Sequence, residues 1–410
     1  MAGEWENLTL GDLGRIVTGK TPLTAVEGNF GGNIPFVTPS DMDGRKIISN
    51  TARYLTQAGA ASVKGSVIPA GAIMVSCIGS DMGKVVSAGR DCVTNQQINS
   101  IVVDDRFSSE FVYYSLSTRK NEIRHNAAGG SAVPILNKGD FSCLEIKVPP
   151  LAEQKAIAAI LGSLDDKIEL NRRMNATLEA MARALFQSWF VDFDPVRAKL
   201  DGRVPVGMDA ETAALFPAGF DESALGHIPL GWQLGRFGDL CNLKRGHDLP
   251  SSTRKVGLIP VISSSGISGM HSETSVRGPG VVTGRYGTIG KVFFVETDYW
   301  PLNTTLYVED FKKNPPRFIF HALGEVNFSN YTDKAAVPGV NRNHLHEEPT
   351  VISSMEVRQA FAHIVELLWT KHAANCAQSR TLATLRDTLL PKLLSGELSV
   401  AQAAKELSAP

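Results

Sequence analysis

The sequence predicts an α+β protein with two mostly-β domains separated by a pair of long antiparallel coiled-coil helices, arranged as a pseudo-twofold internal repeat. Three observations predict this fold class. Short blocks recur in the same order at an offset of 204 to 228 residues. Two long segments carry apolar residues at coiled-coil spacing. The remaining segments are rich in Gly, Val, Ile and Thr, with short strand-like runs between turn residues.

The internal repeat extends over several blocks, and their constant order excludes chance matching. One block pairs Thr-Asn-Gln-Gln-Ile at 94–98 with Leu-Asn-Thr-Thr-Leu at 302–306, so that Asn95 matches Asn303. This recurrence favours a backbone-capping role for the two asparagines over base reading. The other matched blocks are 10–13 with 237–240, 71–76 with 278–283, 83–85 with 290–292, and 132–137 with 336–341.

The two helical segments have the same heptad register at an offset of 204 residues, which places Asn375 where Asn171 occurs. Polar residues in matching layers indicate that the helices face each other, because a buried asparagine sets register at a cost in stability. The alternative is that each helix packs only on its own domain. About 38 residues at 1.5 Å each give a helix of about 57 Å, too long for that. The predicted coiled-coil residues are Leu164, Ile168, Asn171, Asn175, Leu178, Leu368, Asn375 and Leu382.

We therefore expect six consecutive segments. A first domain (1–150) precedes a central long helix (151–190). A connector broken by glycine and proline (191–228) leads to a second domain (229–350). A C-terminal long helix (351–398) and a tail (399–410) complete the chain.

Composition favours a soluble, reduced protein located in the cytoplasm. The five cysteines are scattered without CxxC pairing, no apolar run is long enough to span a bilayer, and the first residues lack a signal-peptide pattern. The net charge of −1 is unevenly distributed. Lys plus Arg against Asp plus Glu is 14 to 14 in 1–150, 3 to 7 in 191–228 and 13 to 11 in 229–350. The globular parts are thus neutral to slightly basic, which tolerates DNA binding without arguing for it.

Two motifs imitate catalytic sites. Residues 14–21 fit the P-loop pattern GxxxxGK[ST], but a turn-rich segment follows and the second copy lacks the motif. Asn-Pro-Pro-Arg at 314–317 resembles the loop of amino-methyltransferases, but Arg317 replaces the aromatic residue that would stack on a flipped base. We expect a turn there and no catalytic residue in the chain. His344 and His346 lack metal-ligand spacing to other groups, so a polar surface loop and no metal site are expected.

Two similar domains on a helical spacer suit a split DNA target, and about 16 base pairs at 3.4 Å match the helix length. Candidate DNA-binding residues are loop side chains that can donate to or accept from base edges. In the first copy they are Lys20, Thr21, Thr38, Ser40, Ser80, Asp81, Lys84, Gln96, Gln97 and Arg124. In the second copy they are Lys244, Arg245, Ser263, Ser264, Arg285, Tyr286, Lys291, Thr304 and Arg342.

The chain resembles, over nearly its full length, the DNA-specificity subunit of type I restriction–modification systems. The Leu-Gly-Asp openings, Pro-Pro-Leu-Ala-Glu-Gln-Lys-Ala-Ile at 149–157, and Leu-Leu-Pro-Lys-Leu-Leu-Ser-Gly-Glu-Leu at 389–398 carry the resemblance. It implies two target-recognition domains, each reading half of a bipartite site, and helices that set the spacer and dock two methyltransferase subunits. The chain itself would bind no cofactor, since S-adenosylmethionine, ATP and Mg²⁺ would be used by the modification and restriction subunits.

Two other classes of function compete with this interpretation. One is an enzyme, either a P-loop NTPase or a self-contained methyltransferase. The other is a scaffold whose two domains bind proteins rather than DNA. The target sequence, the spacer length, the modified adenines and the presence of a restriction subunit do not follow from the sequence.

Overall fold

The structure is a computed structural model that describes residues 5–127, 134–331 and 339–408. It divides into two compact units. Unit 1 comprises Met1–Asn171 with Cys376–Pro410, and unit 2 comprises Arg172–Asn375. Each unit contains one β-rich domain and half of each long helix. The predicted fold class is therefore confirmed, but the compact units do not follow the consecutive segments expected from the sequence.

The first domain is built from short strands and short helices. Side-chain oxygens of Thr56, Ser108 and Asn137 accept backbone N–H bonds at the starts of three of these helices, as expected of N-cap residues. The strands are β1 (Glu6–Thr9), β2 (Gly14–Thr18), β3 (Phe30–Val37), β4 (Ile47–Ile48), β5 (Arg53–Leu55), β6 (Val67–Ile68), β7 (Ile73–Ser76), β8 (Val85–Ala88), β9 (Cys92–Thr94), β10 (Ile98–Val103) and β11 (Glu145–Val148). The helices are α1 (Gln57–Ser62), α2 (Ser109–Ser117), α3 (Lys120–His125) and α4 (Lys138–Ser142), after which the long helix α5 (Leu151–Phe190) begins.

Two sheets form this domain. One has the strand order β2-β10-β7-β8-β4 and the other β5-β3-β9-β6, while β1 pairs with β11. β2, β10, β7 and β8 are successively antiparallel, whereas β3 and β9 run parallel. Four strands, β2, β3, β7 and β9, therefore end at one edge, where β8 and β10 begin.

The second domain repeats this arrangement. Its sheets have the orders β15-β21-β18-β19 and β17-β16-β20, with β16 and β20 parallel as β3 and β9 are. The strands are β14 (Gln233–Arg236), β15 (Asn242–Arg245), β16 (Ile259–Ser263), β17 (Gly266–His271), β18 (Gly280–Gly284), β19 (Val292–Val295), β20 (Trp300–Pro301), β21 (Thr305–Asp310) and β22 (Pro349–Ile352). The helices are α8 (Phe237–Leu240), α9 (Pro316–Gly324) and α10 (Arg342–His346), after which the second long helix α11 (Met355–Ser395) begins.

The connector between α5 and the second domain is ordered. It contains α6 (Asp194–Leu200), α7 (Ala210–Ala214) and the hairpin of β12 (Phe220–Ser223) and β13 (Gly226–Pro229). Phe216 is 2% exposed and its ring lies 5.0 Å from that of Trp189, so the connector contributes to the core of unit 2.

The last part of the chain, predicted as a tail, contains a helix that packs on the first domain. Residues Val400–Ser408 form a helix, α12, whose Ala403 is fully buried in the core of unit 1. Apolar residues spaced along one face of this segment allow it to pack on the domain. In the part of the chain that the structure describes, no helix is both long and apolar enough to span a bilayer.

The long helices pair antiparallel within each unit. In unit 1, Arg386 of α11 donates to Asp165 of α5 at 2.6 Å, and Asn171 donates to Gln378 at 2.9 Å. Residue numbers therefore rise along one helix as they fall along the other. In unit 2, Asn375 donates to Asn175 at 2.9 Å with the same direction.

Candidate nucleic-acid interface

The loops at the strand-end edge of the first domain are joined by backbone hydrogen bonds. The N–H of Lys20 donates to the carbonyl of Thr94 at 2.9 Å, and the N–H of Asn95 donates to Val37 at 2.9 Å. The N–H of Cys77 donates to Gln97 at 2.7 Å. The loops that follow β2, β3, β7 and β9 are thus held in one place, which we call the first loop edge. Residues far apart in the sequence, such as Lys20 and Thr94, meet there.

Several predicted site residues lie together at the first loop edge. Thr21 donates to the side chain of Gln96 at 2.7 Å. Thr38, Ser40 and Gln97 line a cleft of about 370 Å³. Hydroxyl and amide groups at the mouth of a cleft are suited to hydrogen bonding with base edges.

The charge of Lys84, which lies near this cleft, is compensated. The ammonium group of Lys84 lies 3.1 Å from the carboxylate of Asp81 and donates to the carbonyl of Pro39 at 3.2 Å. Ser80 and Lys20 are exposed on neighbouring loops. Arg124 is exposed on α3, and it is not one of the described residues that line the cleft.

The basic residue of the cleft was not predicted from the sequence. Arg53, on β5, lines the cleft, and its guanidinium lies 5.0 Å from the ring centroids of both Phe30 and Phe36. Antiparallel pairing of β3 with β5 brings these three side chains together. No local motif marks Arg53, because its partners lie on another strand.

The second domain has an equivalent edge, the second loop edge, with the same hydrogen-bond pattern. The N–H of His247 donates to Pro301 at 2.8 Å, as Lys20 does to Thr94. The N–H of Leu302 donates to Ile262 at 2.8 Å, as Asn95 does to Val37. The N–H of Arg285 donates to the carbonyl of Thr304 at 2.8 Å, as the N–H of Cys77 does to the carbonyl of Gln97.

This pattern corrects two pairings made from the sequence. Ser76 pairs with Ile98 as Gly284 pairs with Thr305, so the block 71–76 corresponds to 279–284 and not to 278–283. Asn95 corresponds to Leu302, and Asn303 corresponds to Gln96, one residue away from the expected match. The side-chain oxygen of Asn95 accepts from the N–H of Gln97 at 3.1 Å, so this residue does cap its own turn. Asn303 instead donates to the carboxylate of Asp248. The two asparagines are therefore not equivalent, and short similar blocks alone could not reveal the one-residue shift.

The second loop edge contains a basic groove of about 480 Å³. Lys244, Arg245, Arg285 and Arg342 line it together with Tyr286, and the guanidinium of Arg285 lies 4.5 Å from the centre of the Tyr286 ring. The hydrogen bond from Lys244 to Glu309 raises the pKa of the lysine, which keeps it positively charged. These four predicted residues, remote in sequence, thus form one positively charged surface.

The other predicted residues of the second domain lie on the surrounding loops. Ser263 holds the β16–β17 turn by donating to the carbonyl of Gly266 at 2.9 Å and accepting from the N–H of Ser265 at 3.3 Å. Ser264 is half-buried and Lys291 is exposed. The hydroxyl of Thr304 is buried and has no hydrogen-bond partner among the described residues. DNA contact by any of these residues stays a prediction.

The catalytic-looking motifs have structural explanations. Residues Gly14–Thr18 of the P-loop-like segment form strand β2. Within the described residues 5–127, the first α-helix after this strand begins only at Gln57. The strand–loop–helix geometry of a nucleotide site is therefore not formed. The turn expected at 314–317 was wrong. Pro316 begins helix α9, where a proline at the first position costs no hydrogen bond, and Arg317 is 4% exposed.

The histidine pair also differs from expectation. His344 and His346 lie in helix α10 rather than in a loop. The Nε2 atom of His346 accepts the backbone N–H of Leu243 at 2.8 Å, and burial together with the charge of Arg342 lowers the pKa of His346. A neutral imidazole that accepts a hydrogen bond has a structural role.

The predicted seam of the coiled coil mixes buried and half-buried positions. Asn171 is fully buried and Asn375 is 1% exposed. Asn171 also contacts Ser379, at 3.2 Å, so the Asn171–Ser379 and Asn375–Asn175 pairs are equivalent under the 204-residue repeat. Among the other seam residues, Leu164 is buried, and the half-buried ones are Ile168, Leu178, Leu368 and Leu382.

The predicted Val-Pro…Asn blocks are only partly described. Residues 128–133 and 332–338 lie outside the described residues, and these include Ala132, Val133 and the whole of 336–338. The asparagines that close the two blocks are described. Asn137 and Asn341 each cap a short helix with their side-chain oxygens.

The fold and its two equivalent loop edges define an internally repeated binding protein. Residues 2–180 match the type I restriction modification DNA specificity domain family. The chain is 26% identical to the type I restriction enzyme MjaIX specificity subunit of Methanocaldococcus jannaschii, over 97% of this chain and 94% of that protein. It is 25% identical to the HindI specificity subunit of Haemophilus influenzae, over 96% and 100%.

A solved structure has the same fold. The S subunit of a type I restriction–modification system from M. genitalium gives a TM-score of 0.56 at 17% identity, covering 95% of this chain and 96% of that one. The chain is thus similar to type I restriction–modification specificity subunits over nearly its whole length. The resemblance inferred from the sequence motifs is thus confirmed.

Proposed function

We propose that this chain recognises a bipartite DNA site, with each domain reading one half. The observation that carries the proposal is the pair of loop edges. Both are held by the same backbone hydrogen bonds, for example Lys20 to Thr94 and His247 to Pro301, while their side chains differ. A common frame with divergent side chains suits two different base sequences read in the same manner.

The chemistry of the two edges supports DNA as the ligand. The first edge presents hydroxyl and amide groups, such as Ser40 and Gln96, that can bond to base edges. The second edge presents a basic groove that can also bind phosphate. A scaffold that binds proteins would have no need of this combination of base-reading and phosphate-binding groups.

The paired helices would set the distance between the half-sites and dock two methyltransferase subunits. Helix α5 has 40 residues and α11 has 41, so each is about 60 Å long at 1.5 Å per residue. In this proposal the methyltransferase subunits use S-adenosylmethionine to methylate adenine N6. Restriction subunits that use ATP and Mg²⁺ join the same complex, and this chain directs both reactions without catalysing either.

The test is to reconstitute the chain with its methyltransferase subunits and map N6-methyladenine on genomic DNA. The expected result is one split motif with a fixed spacer. Replacing Gln96 and Gln97 with alanine should relax one half of the motif only. Arg285→Gln should leave that half unchanged, and it serves as the matched variant in the other domain.

Three outcomes would contradict the proposal. Methylation without a motif would favour a scaffold that only holds the methyltransferase. Methylation by the isolated chain would make it an enzyme. A contiguous motif altered at the same bases by variants in both domains would exclude one half-site per domain.

A further inference from the structure

The two loop edges differ in charge at equivalent positions. The β15–β21 pair of the second domain has the same register as the β2–β10 pair of the first. This register identifies the residues of the first domain that are equivalent to two basic residues of the groove. Arg245 pairs with Leu306 as Thr18 pairs with Asn99, so Arg245 corresponds to Thr18. By the same register, Lys244 corresponds to Val17.

The remaining two positions follow from isolated bridges and caps. Tyr286 bridges to Gly339 as Ile78 bridges to Ile135, which makes Arg285 equivalent to Cys77. Arg342 follows the capping Asn341 as Lys138 follows its own capping asparagine. At these four positions the second edge thus has four cations, and the first edge has one.

Two of the four cations are available to an anionic ligand. Neither Arg285 nor Arg342 has a carboxylate within salt-bridge distance among the described residues. The backbone of Arg285 is fixed by its bond to Thr304 at 2.8 Å, and its guanidinium is stacked on Tyr286. Arg245 has a weak partner, Asp248, at 3.9 Å. The groove therefore has a positively charged wall that is partly preorganised.

We propose that this groove binds the phosphate backbone of the half-site read by the second domain, so that most of the salt-dependent affinity of the chain resides in that domain. The inference rests on the proposed function and adds a division of labour to it. Each cation that neutralises a phosphate releases a condensed counterion, so affinity falls with salt in proportion to the number of phosphates neutralised. At the first edge Lys84 is paired with Asp81, so that among the described residues Lys20 and Arg53 are the exposed cations there and fewer phosphates would be neutralised.

The test measures binding of the reconstituted complex to a duplex of about 40 base pairs carrying the mapped site, over a range of NaCl concentrations. The double variant Arg285→Gln/Arg342→Gln should reduce the slope of log affinity against log salt by about 2, or about 1 for each arginine that no longer neutralises a phosphate. The preferred sequence should be unchanged. The control variant is Arg203→Gln/Arg277→Gln, which removes two charges outside the groove and should leave the slope within error.

All four arginines are exposed or half-buried, so both variants should fold. Thermal melting of each variant verifies this. An unchanged slope in the groove variant overturns the inference. A changed base preference at the second half-site with an unchanged slope also overturns it, because it would assign the arginines to guanine rather than phosphate. Either result leaves the bipartite motif, and hence the proposed function, intact, whereas absence of any motif would contradict the proposed function itself.

Discussion

The hydroxyl of Tyr114, on the short helix α2, donates a hydrogen bond of 2.7 Å to Asp165 on the long helix α5. Asp165 also accepts from Arg386 of α11 at 2.6 Å, and it is 9% exposed. Burial raises the pKa of Tyr114 far above its ordinary value, and the hydrogen bond to the carboxylate of Asp165 raises it further. A single carboxylate thus joins the first domain to both helices of unit 1.

Replacing Tyr114 with phenylalanine should lower the free energy of unfolding by about 2 kcal/mol, because the variant cannot form this buried bond to a charged group. Urea unfolding of the purified chain measures this. Tyr113→Phe is the matched control, since its hydroxyl forms no hydrogen bond with the described residues and should cost well under half as much. Equal losses of stability in the two variants would argue against the Tyr114–Asp165 bond as the cause.

The Asn175–Asn375 pair should behave cooperatively. Asn375→Leu leaves the side-chain carbonyl of Asn175 without its 2.9 Å donor, at an expected cost of about 1–3 kcal/mol. Asn175→Leu/Asn375→Leu should cost less than the sum of the single variants, since each single variant already removes the same Asn175–Asn375 hydrogen bond. Additive losses of stability in a double-mutant cycle would show that the two side chains do not depend on each other.

Stability should depend on pH through His321. Burial, with the charges of Arg317 and Arg183, lowers the pKa of His321 to about 4, against an ordinary value of 6.5. The unfolded chain then binds more protons between these values, so stability is complete above about pH 6.5 and falls as the pH decreases towards 4. The contribution of this group to the decrease should be about 2 kcal/mol by about pH 5.

Comparison of the wild-type chain with His321→Leu isolates that contribution. The urea midpoints of both proteins are measured at about pH 7 and about pH 5, where carboxylates affect both proteins alike. The wild type should lose more stability than the variant over this interval. Identical pH dependence in the two proteins would mean that the pKa of His321 is the same in the native state as in the unfolded chain.

The spacer should follow the length of the paired helices. Deleting 172–178 from α5 and the facing 372–378 from α11 removes one heptad from each helix and keeps the seam in register. Seven residues at 1.5 Å are about 10 Å, or about 3 base pairs at 3.4 Å. Methylation mapping should therefore show a motif with the same half-sites and a spacer shorter by about 3 base pairs. An unaltered spacer would exclude the helices as its determinant.

Much of the architecture was predictable because it depends on periodic patterns. The heptads that include Leu164 and Leu178 specify long helices, since one apolar stripe must be buried along the whole length. The repeat of Asn171 as Asn375 also indicated that the helices pair, since a polar layer needs a partner. The motif that imitates a P-loop could be rejected from the sequence for a physical reason, because a turn-rich segment follows it where a nucleotide site needs a helix.

The binding surfaces were only partly predictable. The candidate loops were identified by residue type, which detects Lys244 and Arg342 separately but not their common groove. Arg53 was missed, and Asn303 was matched to the wrong partner, because strand register and not local similarity determines which side chains meet.

The sequence by itself determined the class of the protein, its repeated organisation and its pair of long helices, because periodicity and recurring blocks are local properties of the chain. Only the tertiary structure decided which loops share an edge, that Asp165 joins α2 to both long helices, and that the four groove cations gather on one surface of the second domain. These relationships arise from contacts between residues distant in the chain. No pattern within a single segment records them.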